Sequence, residues 1–128
     1  MDYSNLPKKR MDSGCLLFNN KQQVLLVKPN YKEAWEIPGG IEEDNESPKQ
    51  CCIREDKEEL SINLSKLQLL VVDYNQYPEL KEKTESLMFI FDGGTIDEED
   101  IQLDMADHEG FIFVGREQIQ SNQTTSVS

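Results

Sequence analysis

The chain has 128 residues, enough for a single hydrophobic core and too few for two. Its 13 basic and 25 acidic residues leave a net charge of -12, which repels nucleic-acid backbones, so general nucleic-acid binding is not expected. No apolar run approaches membrane-spanning length and the first ten residues lack the apolar core of a secretion signal, so no membrane association is expected.

In chain order, residues 1–10 are polar, end in Lys8-Lys9-Arg10, and read as a flexible lead-in. Residues 14–18 (GCLLF) predict a strand, Asn19-Asn20-Lys21 a turn, and residues 24–27 (VLLV) a returning strand, together a hairpin. Their continuous apolar runs predict a sheet covered on both faces. Residues 29–34 form a loop and residues 35–37 a short extended piece, after which Gly39 and Gly40 predict a close turn that aims the next segment. A helix start then stands in the open. Ser47 suits the N-cap, Pro48 the first helical position, and Gln50 the partner position of a capping box, so the helix runs from Pro48 to about Leu60.

On that helix Glu55 and Glu59 are four residues apart and Glu55 and Glu58 three, so the three carboxylates project to roughly one side. Left bare they repel one another. A hard divalent cation such as magnesium turns the repulsion into ligation. The same charges also suit a solvated helix face, and this spacing alone leaves both readings open. Cys15, Cys51 and Cys52 have no zinc-site spacing and leave an odd thiol under any pairing, which predicts small buried residues and a cytoplasmic location.

Beyond the helix, residues 67–74 (LQLLVVDY) predict a strand, residues 75–83 a polar loop with Tyr77 and Pro78, and residues 85–92 a second strand closed by Gly93-Gly94. Residues 96–109 are acidic, and 111–114 (FIFV) make the last strand. The run Asp97-Glu98-Glu99-Asp100 lacks the alternation and central glycine of a calcium loop and reads as solvated. Residues 116–120 offer a turn or two of helix, and 121–128 read as a disordered polar tail. One domain over residues 11–120 is the expectation.

Counted from Gly40, five residues lead to Glu46 and seven more to Arg54-Glu55, with Glu58-Glu59 and Ile62 following. This pattern resembles the signature of the Nudix hydrolases at every charged position, and Trp35-Glu36-Ile37-Pro38-Gly39 is similar to that family's approach to it. Two positions depart from it. Asp56 stands where the family has an aliphatic residue, on one stripe with Cys52, Ile53 and Leu60; a carboxylate there is expected to be partly wet or partnered, because unpaired burial is costly. Ser61 replaces a glycine at a position expected to be left-handed, at a cost of about 1 kcal/mol.

The resemblance implies an α+β fold, a Nudix-type α/β/α sandwich around a mixed β-sheet, here with the second covering helix short or missing. An uncovered face would favour a homodimer. The implied reaction is hydrolysis of a diphosphate linkage in a nucleoside diphosphate-linked metabolite or a nucleoside triphosphate, so the expected partner is a small-molecule nucleotide. Mg2+ is the implied cofactor with Mn2+ as a substitute, and so acidic a surface needs a bound cation to accept polyphosphate. Glu55 and Glu59 are then the main metal ligands, Glu58 assists, Arg54 orients a signature glutamate through a charge-assisted pair, and Glu46 secures the loop. The catalytic base comes from a late loop or from the helix itself; in Asp107-His108-Glu109 the first candidate is Glu109 and the second Asp107, with His108 expected as a loop or surface imidazole. For phosphate and base contacts the candidates are Gly39, Gly40, Lys28 and Trp35, with Lys32, the Lys8–Arg10 cluster, Tyr74 and Tyr77 behind them; each side chain among them also reads as ordinary surface or packing. Tyr77 and Pro78 fall where subfamilies differ and point both ways. The alternative expectation is a catalytically weak Nudix-fold nucleotide-binding or sensor module.

Overall fold

The capping residues set the one long helix, α1, which spans Pro48–Leu60. In the computed structural model, which describes residues 2–76 and 85–121, Ser47 Oγ accepts from the Gln50 amide at 3.1 Å and Gln50 Oε1 accepts from the Ser47 amide at 2.9 Å. The capping box is thus closed in both directions. At the other end Ser61 is left-handed, φ 60° and ψ 31°, with its N–H bonded to the Lys57 carbonyl. The expected strain at a non-glycine residue is present.

Among the described residues six strands accompany the helix: β1 (Arg10–Phe18), β2 (Val24–Pro29), β3 (Gly39–Ile41), β4 (Gln68–Asn75), β5 (Ser86–Thr95) and β6 (His108–Val114), with a short α2 (Arg116–Ser121) after them. The sheet order is β4-β5-β1-β2-β6. β1 and β5 run parallel and the other neighbours antiparallel, so the sheet is mixed. β1 is its fork. One edge is taken by β5; the other is shared between β3, paired at Asp12, Ser13 and Gly14, and β2, paired at Phe18↔Val24. Asn19 closes the predicted hairpin, its Oδ1 accepting from the amides of Lys21 and Gln23.

Two glycine pairs behave differently from expectation. Gly39-Gly40 is not a turn but most of β3, because a chain without side chains can lie hard against β1; a Cβ on Gly39 would stand 2.0 Å from the Ser13 carbonyl oxygen. Gly93-Gly94 does not end β5. Leu16 pairs with Asp92 and Leu17 with Gly94, which leaves Gly93 as the extra residue of a bulge inside the strand.

Alternation along the strands divides the core between two faces. On the α1 side Cys15, Leu17, Leu25, Val27 and Phe91 pack with Cys52, Leu60 and Ile62. On the other side Leu26, Ile37, Ile90 and Val114 form a second cluster with Trp35 and Met88 against it. The second covering helix is short, as expected: α2 has six residues and lies against β6. Cover is incomplete at the β4 edge, where Leu69, Leu70, Val71, Val72 and Tyr74 are each 44–50% exposed, against the expectation of a sheet buried on both faces. Tyr77 and Pro78, and residues 122–128 of the tail, lie outside the described residues. Among the described residues no helix is long and apolar enough to cross a membrane.

Candidate active site

α1 is anchored at both ends, to β1 at its start and to the loop before β6 at its end, and that positions its acidic face. Near its start Ser13 Oγ on β1 donates to the Pro48 carbonyl at 2.7 Å. At its end the amides of Gln102 and Asp104 bond the Leu60 and Glu59 carbonyls at 2.9 and 2.8 Å, satisfying groups the last turn leaves without helical partners. Between these anchors the carboxylates of Glu55 and Glu59 turn toward β3.

Arg54 organises the approach. Its Nε and Nη2 donate to the two oxygens of Glu46 at 2.7 and 3.0 Å, and its Nη1 to Glu55 Oε1 at 2.9 Å. Glu46 also accepts from the Glu43 amide at 3.0 Å. The arginine's hydrogen bonds, with that amide, hold the Glu46 carboxyl down to about 2, so it is an ionised strut between loop and helix. Glu55 lies over Gly40, where a Cβ would stand 2.4 Å from its carboxyl carbon. Only glycine gives the carboxylate that room. Burial raises the Glu55 pKa, against the pull of Arg54.

Glu59 is the most enclosed of the three, 8% exposed. The Gly39 amide donates to its Oε1 at 3.1 Å, and His108 Nε2 stands 3.1 Å from its Oε2. His108 is therefore not a surface imidazole; it is buried on β6 against the helix. Its Nδ1 lies 3.2 Å from the Asp104 carbonyl, which can only accept, so that nitrogen carries a hydrogen. Nε2 is left facing the glutamate. Burial first, then the neighbouring Asp56 and Glu55 charges, push the Glu59 carboxyl up to about 9. Two adjoining carboxyls that resist ionisation suit a divalent cation, which would stabilise both anions at once. Glu58 stands apart, exposed and reaching back to Arg54 at 3.4 Å.

The other predicted residues disperse. Lys28 Nζ donates to Glu109 Oε2 at 2.7 Å and to the Lys32 carbonyl at 2.8 Å, so the lysine and the first candidate base neutralise each other. Asp107 is exposed and bonds through its carbonyl to the Asn30 amide. Trp35 packs on the second core cluster. A cleft of about 490 Å³ opens beside β3, walled by Gly39, Gly40 and Ile37, floored by Met88 and Ile90, with Arg10 among the polar residues around it. Lys32 also lines it; Lys28 and Trp35 do not. β3 thus separates the cleft from the helix carboxylates. The expected surface place of His108 fails because nothing local ties it to Glu59, 49 positions earlier; a lone histidine amid acids at the start of an apolar strand is the available hint.

Asp56 overturns its expectation. It is sealed, with an exposure of 0%, and its oxygens make no well-formed hydrogen bond; the neighbouring Cys15 thiol is a weak donor that offsets little of the burial. Helix periodicity sets it on the core-facing stripe, and the packing of Cys15 and Cys52 around it encloses it there.

Comparison with known proteins matches a sequence model of the NUDIX domain to residues 8–127. Among curated relatives, an 8-oxo-dGTP diphosphatase of Proteus vulgaris is 42% identical over 45 residues, 35% of this chain and 40% of that protein. The mRNA-decapping enzyme subunit 2 of Saccharomyces cerevisiae is 33% identical over 78 residues, 60% of this chain and 8% of that protein. The chain thus spans less than half the length of these curated relatives. Among solved structures, the MutT protein from Methanosarcina mazei Go1 superposes with a TM-score of 0.79 at 23% identity, over 95% of this chain and 88% of that one, a likeness of fold.

Proposed function

Because the chain belongs to the Nudix family, we propose that it is a metal-dependent pyrophosphohydrolase acting on a diphosphate linkage in a nucleoside diphosphate-linked metabolite or a nucleoside triphosphate. The observation that carries the reading is the pairing of Glu55 and Glu59 behind Gly39 and Gly40, at the wall of the cleft. A diphosphatase among the relatives supports it.

In this reading Glu55 and Glu59 would hold Mg2+ or Mn2+, with Glu58 assisting from the same helix. The cation supplies charge neutralisation on the diphosphate and acidifies a water. The chain supplies the rest. Arg54 and Glu46 keep Glu55 aimed, His108 and the Gly39 amide keep Glu59 aimed, and the backbone of β3 lets a diphosphate approach without side-chain obstruction. Ile37, Met88 and Ile90 give the nucleotide an apolar seat. The base is Glu109, once released from Lys28, or Asp107. The three buried, unpaired cysteines support a reducing cytoplasmic location.

The test is phosphate release from nucleoside triphosphates, nucleotide sugars, ADP-ribose and dinucleoside polyphosphates, with and without Mg2+. Glu59→Gln, Glu109→Gln and Asp107→Asn are run alongside. Metal-dependent release that Glu59→Gln abolishes, with an unchanged circular-dichroism spectrum, is expected, and the weaker of the other two variants assigns the base. Release unaffected by Glu59→Gln would sink the ligand assignment. Nucleotide binding without turnover would make the chain a binding or sensor module.

A further inference from the structure

Donor side chains also converge at a place other than the acidic face of α1. Among the described residues, three metal-ligating side chains of the histidine, cysteine and acid types bring their ligand atoms within 4.8 Å of one another at one place, Cys15, Cys52 and Asp56. Cys52 and Asp56 are one helical turn apart on the face that packs against β1, and Cys15 comes from β1 itself. Two donors at i and i+4 of a helix, closed by a third from a strand, is a spacing that lets three ligand atoms meet at one ion. All three residues are 0% exposed and both thiols are free. Asp56 supplies the independent observation: a carboxyl sealed in the core, neither oxygen in a well-formed hydrogen bond, facing the Cys15 thiol. Burying a carboxyl without strong partners is costly, and the two thiols are the ligand groups that meet it.

We propose that Cys15, Cys52 and Asp56 form a buried site for a thiophilic divalent cation of the zinc class, distinct from the Glu55–Glu59 pair. On binding, the Cys15 and Cys52 thiols each release a proton to solvent, as does the Asp56 carboxyl where it still carries one, and the two thiolates and the carboxylate ligate the ion. The sulfur content separates the two sites by chemistry: thiolates favour zinc, cadmium or cobalt, whereas the Glu55–Glu59 carboxylates favour magnesium. The site is loaded as the core closes, because its ligands are on two elements that meet only in the folded chain.

The experiment refolds the full chain from denaturant with Co2+ or Cd2+ in an excess of Mg2+, removes loose metal by gel filtration, and reads bound metal and sulfur-to-metal charge-transfer absorption. One equivalent with a thiolate band is expected, unchanged in Glu55→Gln and Glu58→Gln. Affinity should fall at least about 100-fold in Asp56→Ala, whose fold is checked by circular dichroism, and in Cys52→Ser. Absence of a thiolate band in the folded wild type would overturn the proposal, as would a band that survives Asp56→Ala. Because neither readout is turnover, the outcome is independent of the hydrolase reading.

Discussion

Asp56→Ala should stabilise the metal-free protein, and more so as the pH rises. Burial pushes the Asp56 carboxyl from its ordinary 3.8 up to about 7 in the folded chain. A folded pKa above the unfolded one means that the native state keeps a proton the unfolded chain has released. Stability therefore falls as pH rises from about 3.8 to about 7 and then levels, by about 1.4 kcal/mol per unit and about 4 kcal/mol in all. Alanine carries none of this. The neutral carboxyl already costs about 1–3 kcal/mol through its unmet hydrogen bonds. Against that, the void left by the deleted group costs about 0.5 kcal/mol, roughly matched by alanine's better helix propensity. The variant should be more stable by about 1–3 kcal/mol near pH 4, with the advantage growing by about 4 kcal/mol toward pH 8. Glu59, relieved of the Asp56 charge that helps raise it, acts in the same direction. Urea unfolding of both proteins in chelator between pH 4 and 8 measures the difference, and titrations common to both cancel. A flat difference across that range, or a variant less stable at pH 8, would refute unpaired burial as the origin.

Gly40→Ala puts a Cβ 2.4 Å from the Glu55 carboxyl carbon and forces that carboxylate off Arg54. Since the obstacle is the end of a flexible side chain, the fold should survive while metal-dependent turnover drops about 10–100-fold, read by steady-state kinetics across a Mg2+ titration. Ser61→Gly removes the left-handed strain and should add about 1 kcal/mol of stability in chemical denaturation, with turnover unchanged. Because burial keeps the Glu59 carboxyl protonated up to about 9, Mg2+ binding at pH 7.5 should release roughly one proton, and affinity should rise with pH until that point. Calorimetric titration in buffers of different ionisation enthalpy counts that proton. None released would show that Glu59 is already ionised or does not ligate.

Legibility in the sequence tracks the range of the interactions involved. α1 was legible to the residue because Ser47, Pro48 and Gln50 write its start within four positions, and a left-handed Ser61 results from the helix ending there. β3 was not, since Gly39-Gly40 has no strand propensity of its own and is a strand only because β1 leaves a place that side chains could not enter. For Asp56 periodicity gives the right stripe but only a direction, while the cost of burial argues for a strong partner, which the packing replaces with thiols. The contacts of Glu55 with Gly40 and of Arg54 with Glu46 lie within one signature. Those of Glu59 with His108 and of Lys28 with Glu109 join elements far apart in sequence, and their pairing depends on a strand order that no local pattern encodes.

The fork at β1 divides the sheet mechanically. β4, β5 and β1 form one continuous ladder, and β2 and β6 another. The ladder between them among the described residues is Phe18↔Val24 alone, and the bridge Val27↔Glu36 ties β2 only to the lead-in of β3. Side-chain packing, more than backbone hydrogen bonding, unites the halves. Such a seam can open with few hydrogen bonds broken, and amides of β2 and β6 should exchange with solvent as one cooperative unit ahead of those in β1 and β5. His108 rides on β6 while Glu55, Glu59 and β3 belong to the other half. Breathing of the seam would therefore carry the imidazole away from Glu59 without disturbing the Arg54–Glu55 pair, giving the two carboxylates unequal freedom even though they share a helix.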